Sequence, residues 1–119
     1  MKKVEGFEDL VVWQEAKDLA GVIYKTFNGL KDFGFKDQIQ RASISVMNNI
    51  AEGFERGSDA DFLRFLYISK ASCGEVRSMI YLAKDLNYIK ESDGNIILEN
   101  CRKLARGLAS FIKYLKRKD

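Results

Sequence analysis

Between Gln38 and Ser58 the chain reads QIQRASISVMNNIAEGFERGS, a helical stretch that is apolar on two faces rather than one. Ile39, Ala42, Val46, Asn49, Ile50 and Gly53 share one face at about 100° per residue, while Ile44, Met47, Ala51 and Phe54 form a second. Between the two faces lies a polar stripe of Gln38, Arg41, Ser45, Asn48 and Glu52. A helix that must be covered on both sides is predicted to lie inside something larger than a simple bundle.

The rest of the chain repeats the helical period three times. Val12, Ala16, Leu19, Ile23 and Phe27 line one face of a first helix, predicted over about 9–28 and stopped by Gly29. The doubly apolar helix is predicted over 36–56, after a linker at 31–35 that holds Gly34 and two phenylalanines. Gly57 ends it. Ser58 reads as the N-cap of a third helix over 59–87, with Asp61 as the acidic partner of a capping box. Its core face carries Phe62, Phe65, Ser69, Ser72, Cys73, Val76, Ile80 and Ala83, with a weaker second seam of Leu63, Tyr67, Gly74 and Tyr81. In a fourth helix, over 93–117, Ile97, Cys101, Leu104, Leu108, Phe111 and Leu115 make a heptad seam.

No segment alternates with period two, and the 119 residues contain no proline, which suits long helices joined by short turns. One domain is predicted, an antiparallel, up-down-up-down four-helix bundle. The second faces of the second and third helices, carrying Ile44, Met47, Phe54, Leu63, Tyr67 and Tyr81, exceed what four helices need to cover one another. Surplus apolar surface of this kind predicts a homo-oligomer.

Several chemistries are missing from the side-chain inventory. There is no histidine, the commonest general base and metal ligand, and no glycine pattern of a phosphate-binding loop. Neither catalysis, a cofactor, a metal nor a small-molecule substrate is expected. Cys73 and Cys101, the two cysteines, fall within apolar periodicity and read as reduced, buried thiols. No apolar run reaches the length of a membrane span and the N-terminal residues do not resemble a signal peptide, so the cytoplasm is the expected location.

Net charge is +3, unevenly placed. Arg102, Lys103, Arg106, Lys113, Lys116, Arg117 and Lys118 follow one another with no acid among them, behind a mildly acidic body. Cations at a helix C-terminus complement its macrodipole; the same run would also serve as a footprint for nucleic acid. The polar stripe is open to two readings in the same way. Arg41, Ser45, Asn49 and Glu52, with Glu75 of the third helix placed to receive Arg41, would form a structural network, or would contact a ligand or RNA.

Beyond these patterns, the chain resembles the four-helix proteins encoded in intervening sequences of bacterial 23S rRNA genes. The resemblance is carried by Phe7–Leu10 with Val12-Trp13-Gln14 and Ala16, by Gln40-Arg41-Ala42-Ser43-Ile44-Ser45, and above all by Asn49-Ile50-Ala51-Glu52-Gly53. Phe62, Phe65-Leu66, Ser72, Glu75 and Leu86-Asn87-Tyr88-Ile89 extend it. It implies a bundle assembled as a ring, typically a pentamer, in a bacterial cytoplasm. It also implies kinship with the accessory variability determinant of diversity-generating retroelements, a basic protein that works with structured RNA. The expected function is a non-enzymatic, homo-oligomeric scaffold that binds structured RNA through Arg102, Lys103, Arg106, Lys113, Lys116 and Arg117. The alternative is a protein–protein adaptor ring, for which Trp13, Tyr67 and Tyr81 are the exposed-looking aromatics.

Overall fold

The computed structural model describes residues 3–117, so Lys118 lies outside the described residues. It consists of α1 (Val11–Phe27), α2 (Phe33–Glu55), α3 (Asp59–Asp85) and α4 (Glu91–Arg117), preceded by a 3-10 turn at Phe7–Asp9. No strand occurs among the described residues.

Three boundaries show which local chemistry decides them. α2 begins at Phe33 rather than 36, because the Asp32 carboxylate accepts from the Phe35 amide at 3.1 Å and caps the helix. The expected linker is therefore the first helical turn, and Phe35 is buried there, edge-on to Phe27 at 5.6 Å and to Tyr88 at 5.3 Å. Ser58 caps α3 as expected, its hydroxyl accepting from the Asp61 amide at 3.2 Å. α3 stops at Asp85, two residues early, in a Schellman turn. Asn87 takes φ +59°, its amide donates to the Lys84 carbonyl, and the Tyr88 amide donates to that of Ala83.

The Tyr88 hydroxyl then donates to Asp32 at 2.7 Å, tying the α3–α4 turn to the start of α2. This bond, helped by the Phe35 amide, holds the Asp32 carboxyl below the usual carboxylate range and pushes the Tyr88 hydroxyl up. A depressed carboxyl stabilises the fold above its unfolded pKa and ceases to do so as pH falls through its folded one. A raised phenol stabilises the fold below its unfolded pKa and ceases to do so as pH rises through its folded one. The tie therefore holds between roughly pH 4 and 10. Tyr88→Phe should move the Asp32 pKa back up toward its ordinary value in a carboxyl NMR titration. An unmoved pKa would mean that the Phe35 amide alone sets it.

Packing follows the predicted faces closely. All five positions of α1 are buried, with Ala20 beside them. In α4 the buried row runs through Ile112, and Phe111 turns half outward onto Phe62, 5.1 Å between ring centres. Leu66 and Leu98 join the core from positions outside the predicted rows.

Contacts fix the direction of each helix against its neighbour. Ser69 of α3 donates to the Val46 carbonyl of α2 at 2.7 Å, the Ser72 and Ser45 hydroxyls meet at 2.8 Å, and Gln38 donates to Glu75 at 3.0 Å. Numbers rise on one helix as they fall on the other, so α2 and α3 run in opposite directions. The same holds for α3 and α4, where Lys84, Tyr81 and Tyr67 meet Asn95, Arg102 and Lys116.

Much of the second apolar face of α2 is covered within the chain. Met47 and Phe54 pack against the bundle's own core, as does Leu63, and Phe54 stands edge-on to Phe62 at 5.9 Å. The N-terminal 3-10 turn also packs on α2 as well as α1, and Phe7 stacks edge-on with a half-buried Trp13 at 5.0 Å. Ile44 is half-buried, while Tyr67 and Tyr81 are exposed.

Candidate nucleic-acid interface

Two sets of residues at heptad spacing face each other across the α3–α4 seam. On α3 these are Tyr67, Gly74 and Tyr81; on α4 they are Arg102, Ala109 and Lys116. Because the helices run in opposite directions, the sets pair end to end. Arg102 donates to the Tyr81 hydroxyl at 2.8 Å, and Lys116 donates to the Tyr67 hydroxyl at 3.0 Å. Lys116 also lies over the Tyr67 ring, 5.7 Å from its centre. Fourteen residues of helix separate the tyrosines, a span of about 21 Å.

Lys70 and Arg77 of α3 stand between these two pairs. Lys70 lies near enough to the buried Cys73 thiol, and Arg77 to both Cys73 and Cys101, for their charges to bear on them. The thiols form the floor of the seam. Cys73 Sγ–H donates to the Cys101 carbonyl at 3.4 Å, and the neighbouring thiol together with burial pushes the Cys101 thiol up, so it stays protonated.

The surface carries almost one sign of charge. α4 has no acid from Asn100 to Arg117, and α3 between Phe62 and Lys84 has Glu75 alone, which accepts from Gln38 on the α2 side. Glu99 sits at the lower edge and pairs with Arg102 and Arg106, both at 3.5 Å. Lys113 and Arg117 are exposed on α4.

Of the six cations predicted on α4, Arg102 and Lys116 thus reach across to α3, and Arg106, Lys113 and Arg117 are exposed on the same helix. Lys103 does not belong with them; it turns to α1 and pairs with Glu15 at 3.3 Å. Lys70 and Arg77 join the α4 cations from α3, and the one sign of them in the sequence is a stretch with two cations and two tyrosines at heptad-related spacing.

The structure divides the expected polar network of α2. Ser45 and Asn49 belong to it: the Asn49 amide donates to the Ser45 carbonyl at 2.8 Å and hydroxyl at 2.9 Å, and Ser45 meets Ser72. Arg41 and Glu52 do not. The Arg41 side chain is 80% exposed and pairs with Asp37 at 2.9 Å, and Glu52 pairs with Arg56 at 3.0 Å, also at the surface. Glu75 accepts from Gln38 instead of Arg41. Each four-residue step along a helix overshoots a full turn by about 40°, which carries Asn49 toward α3 and Arg41 toward solvent. Removing Arg41 therefore strands no buried charge, and a surface pair of this kind is worth about 0–1 kcal/mol.

Among the described residues, no group of three or more Cys, Asp and Glu side chains could hold a metal ion, and no helix is long and apolar enough to cross a membrane.

Comparison with known proteins places this architecture. The model of a family described as 23S rRNA-intervening sequence protein matches residues 8–110. A crystal structure from Bacteroides thetaiotaomicron, of a protein with unknown function from the S23 ribosomal protein family, is similar with a TM-score of 0.81 and 29% identity. The alignment covers 87% of this chain and 99% of that one. No curated protein matches the chain.

Proposed function

Because the chain belongs to the family of 23S rRNA-intervening sequence proteins, we propose that it is a non-enzymatic helical scaffold that self-associates and binds structured RNA through its α3–α4 surface. The supporting observation is that surface itself, where cations from two helices converge around Tyr67 and Tyr81 with hardly an acid among them. Lys and Arg side chains that neutralise phosphates release counterions, so binding should weaken steeply as salt rises. A net charge of +3 is modest, and a ring of up-down-up-down bundles, five by the family resemblance, would multiply each subunit's few contacts. Ile68 and Leu82 on α3 and Leu86 just after it, each more than 40% exposed, are apolar surface that self-association would cover. Such a scaffold would act in the cytoplasm.

Light scattering behind size exclusion, with absorbance at 260 and 280 nm on protein purified without nuclease, tests this reading. A ring-sized mass with nucleic acid that high salt strips off is the expected result. A ring free of nucleic acid would favour the protein–protein adaptor, and a monomer would remove the scaffold.

A further inference from the structure

We infer that the α3–α4 surface holds an unpaired stretch of RNA, with bases stacked on Tyr67 and Tyr81 and phosphates on Lys70, Arg77, Arg102 and Lys116; this rests on the RNA-binding reading above. A surface that reads a duplex needs cations alone, because paired bases are already stacked on one another and offer no face to a side chain. Here each end of the seam carries an aromatic ring, 47% exposed in both cases, locked to a cation through its hydroxyl. Rings beside cations along a groove are the arrangement by which proteins hold single strands: bases stack on the rings and the backbone follows the charge.

The middle of the seam supports the same assignment. Gly74 lies halfway between the tyrosines, opposite the exposed Ala109. Glycine in a helix interior is unfavourable, and packing does not require one here, because a Cβ at Gly74 would meet no atom within 4 Å. By contrast, a Cβ at the buried Gly53 would collide with Phe65. The two small residues, neither with an atom beyond Cβ, leave a low saddle between two raised tyrosine–cation pairs. A strand can lie along that path from one ring to the other, with Lys70 and Arg77 beside it.

Fluorescence anisotropy with a labelled oligouridylate and a labelled blunt RNA duplex tests the inference. Tyr67→Leu and Tyr81→Leu should each weaken oligouridylate binding about tenfold and leave duplex binding unchanged. The phenylalanine variants lose the hydroxyl bond but keep the ring, and should bind nearly as the parent does. Gly74→Leu should weaken oligouridylate binding while raising thermal stability, which separates a blocked path from a damaged fold. Equal binding of both probes, unaffected by the leucine variants, would overturn the single-strand assignment and leave RNA binding standing. Failure to bind either probe at low salt would overturn both.

Discussion

Replacing Gly53 by alanine is expected to destabilise the protein by about 1–3 kcal/mol, although alanine is the better helix former by about 1 kcal/mol. A Cβ at this position would stand 2.7 Å from the Cβ of Phe65 and 3.0 Å from Cδ1 of Phe62. The Phe65 Cβ is fixed to the α3 backbone and cannot swing away, so the two helices must separate. Separation acts on the most extensive helix–helix contact among the described residues. It would stretch the Ser69 bond to the Val46 carbonyl and the Ser45–Ser72 pair, both under 3 Å, and Ser69 is fully buried, leaving no water to replace its partner. In thermal unfolding the loss should lower Tm by about 3–6 °C per kcal/mol for a chain this size. Gly74→Ala is the control: the same change on the facing helix, in open space, should raise Tm. A rise for Gly53→Ala as well would show that the α2–α3 spacing is softer than its contacts indicate.

How legible these features are from sequence depends on whether a feature is local to one helix. The face of α1 can be read almost in full, since Val12, Ala16, Leu19, Ile23 and Phe27 recur at helical spacing and only Ala20 joins them. The start of α2 cannot, because an aromatic- and glycine-containing segment reads as a loop until the Asp32 cap is seen. Gly53 stands out within the Asn-Ile-Ala-Glu-Gly run, but its reason is the position of Phe65 on another helix. The interface divides along the same line. Its α4 cations follow one another with no acid between them and can be recognised as a group; its α3 half is spread among core positions and joins them only through the register of the two helices.

Tyr67 and Tyr81 illustrate a deeper ambiguity. Their heptad spacing suggests a seam for another subunit, and periodicity cannot distinguish a protein partner from a stacked base. The cation bonded to each hydroxyl is what supports the stacked base in the reading proposed above. Met47, Phe54 and Leu63 share that second-face periodicity, yet each is half-buried against the chain's own core.

Reversing Lys70 and Arg77 to glutamate should cut RNA affinity by about one to two powers of ten and flatten the salt dependence by about one unit of slope per cation. Both side chains are exposed, so the fold should be unaffected and Tm serves as the check. Lys103→Glu is the informative companion. If the basic character of α4 as a whole attracted the RNA, Lys103 would count as much as any other cation of that helix. In the structure Lys103 leans on Glu15 of α1, away from the α3 seam, so its reversal should leave the slope almost unchanged. An equal loss from Lys103→Glu and from the Lys70 and Arg77 reversals would mean that a diffuse field, rather than the seam, holds the RNA. Loss from the α3 pair alone would locate the site on a surface that neither helix forms without the other.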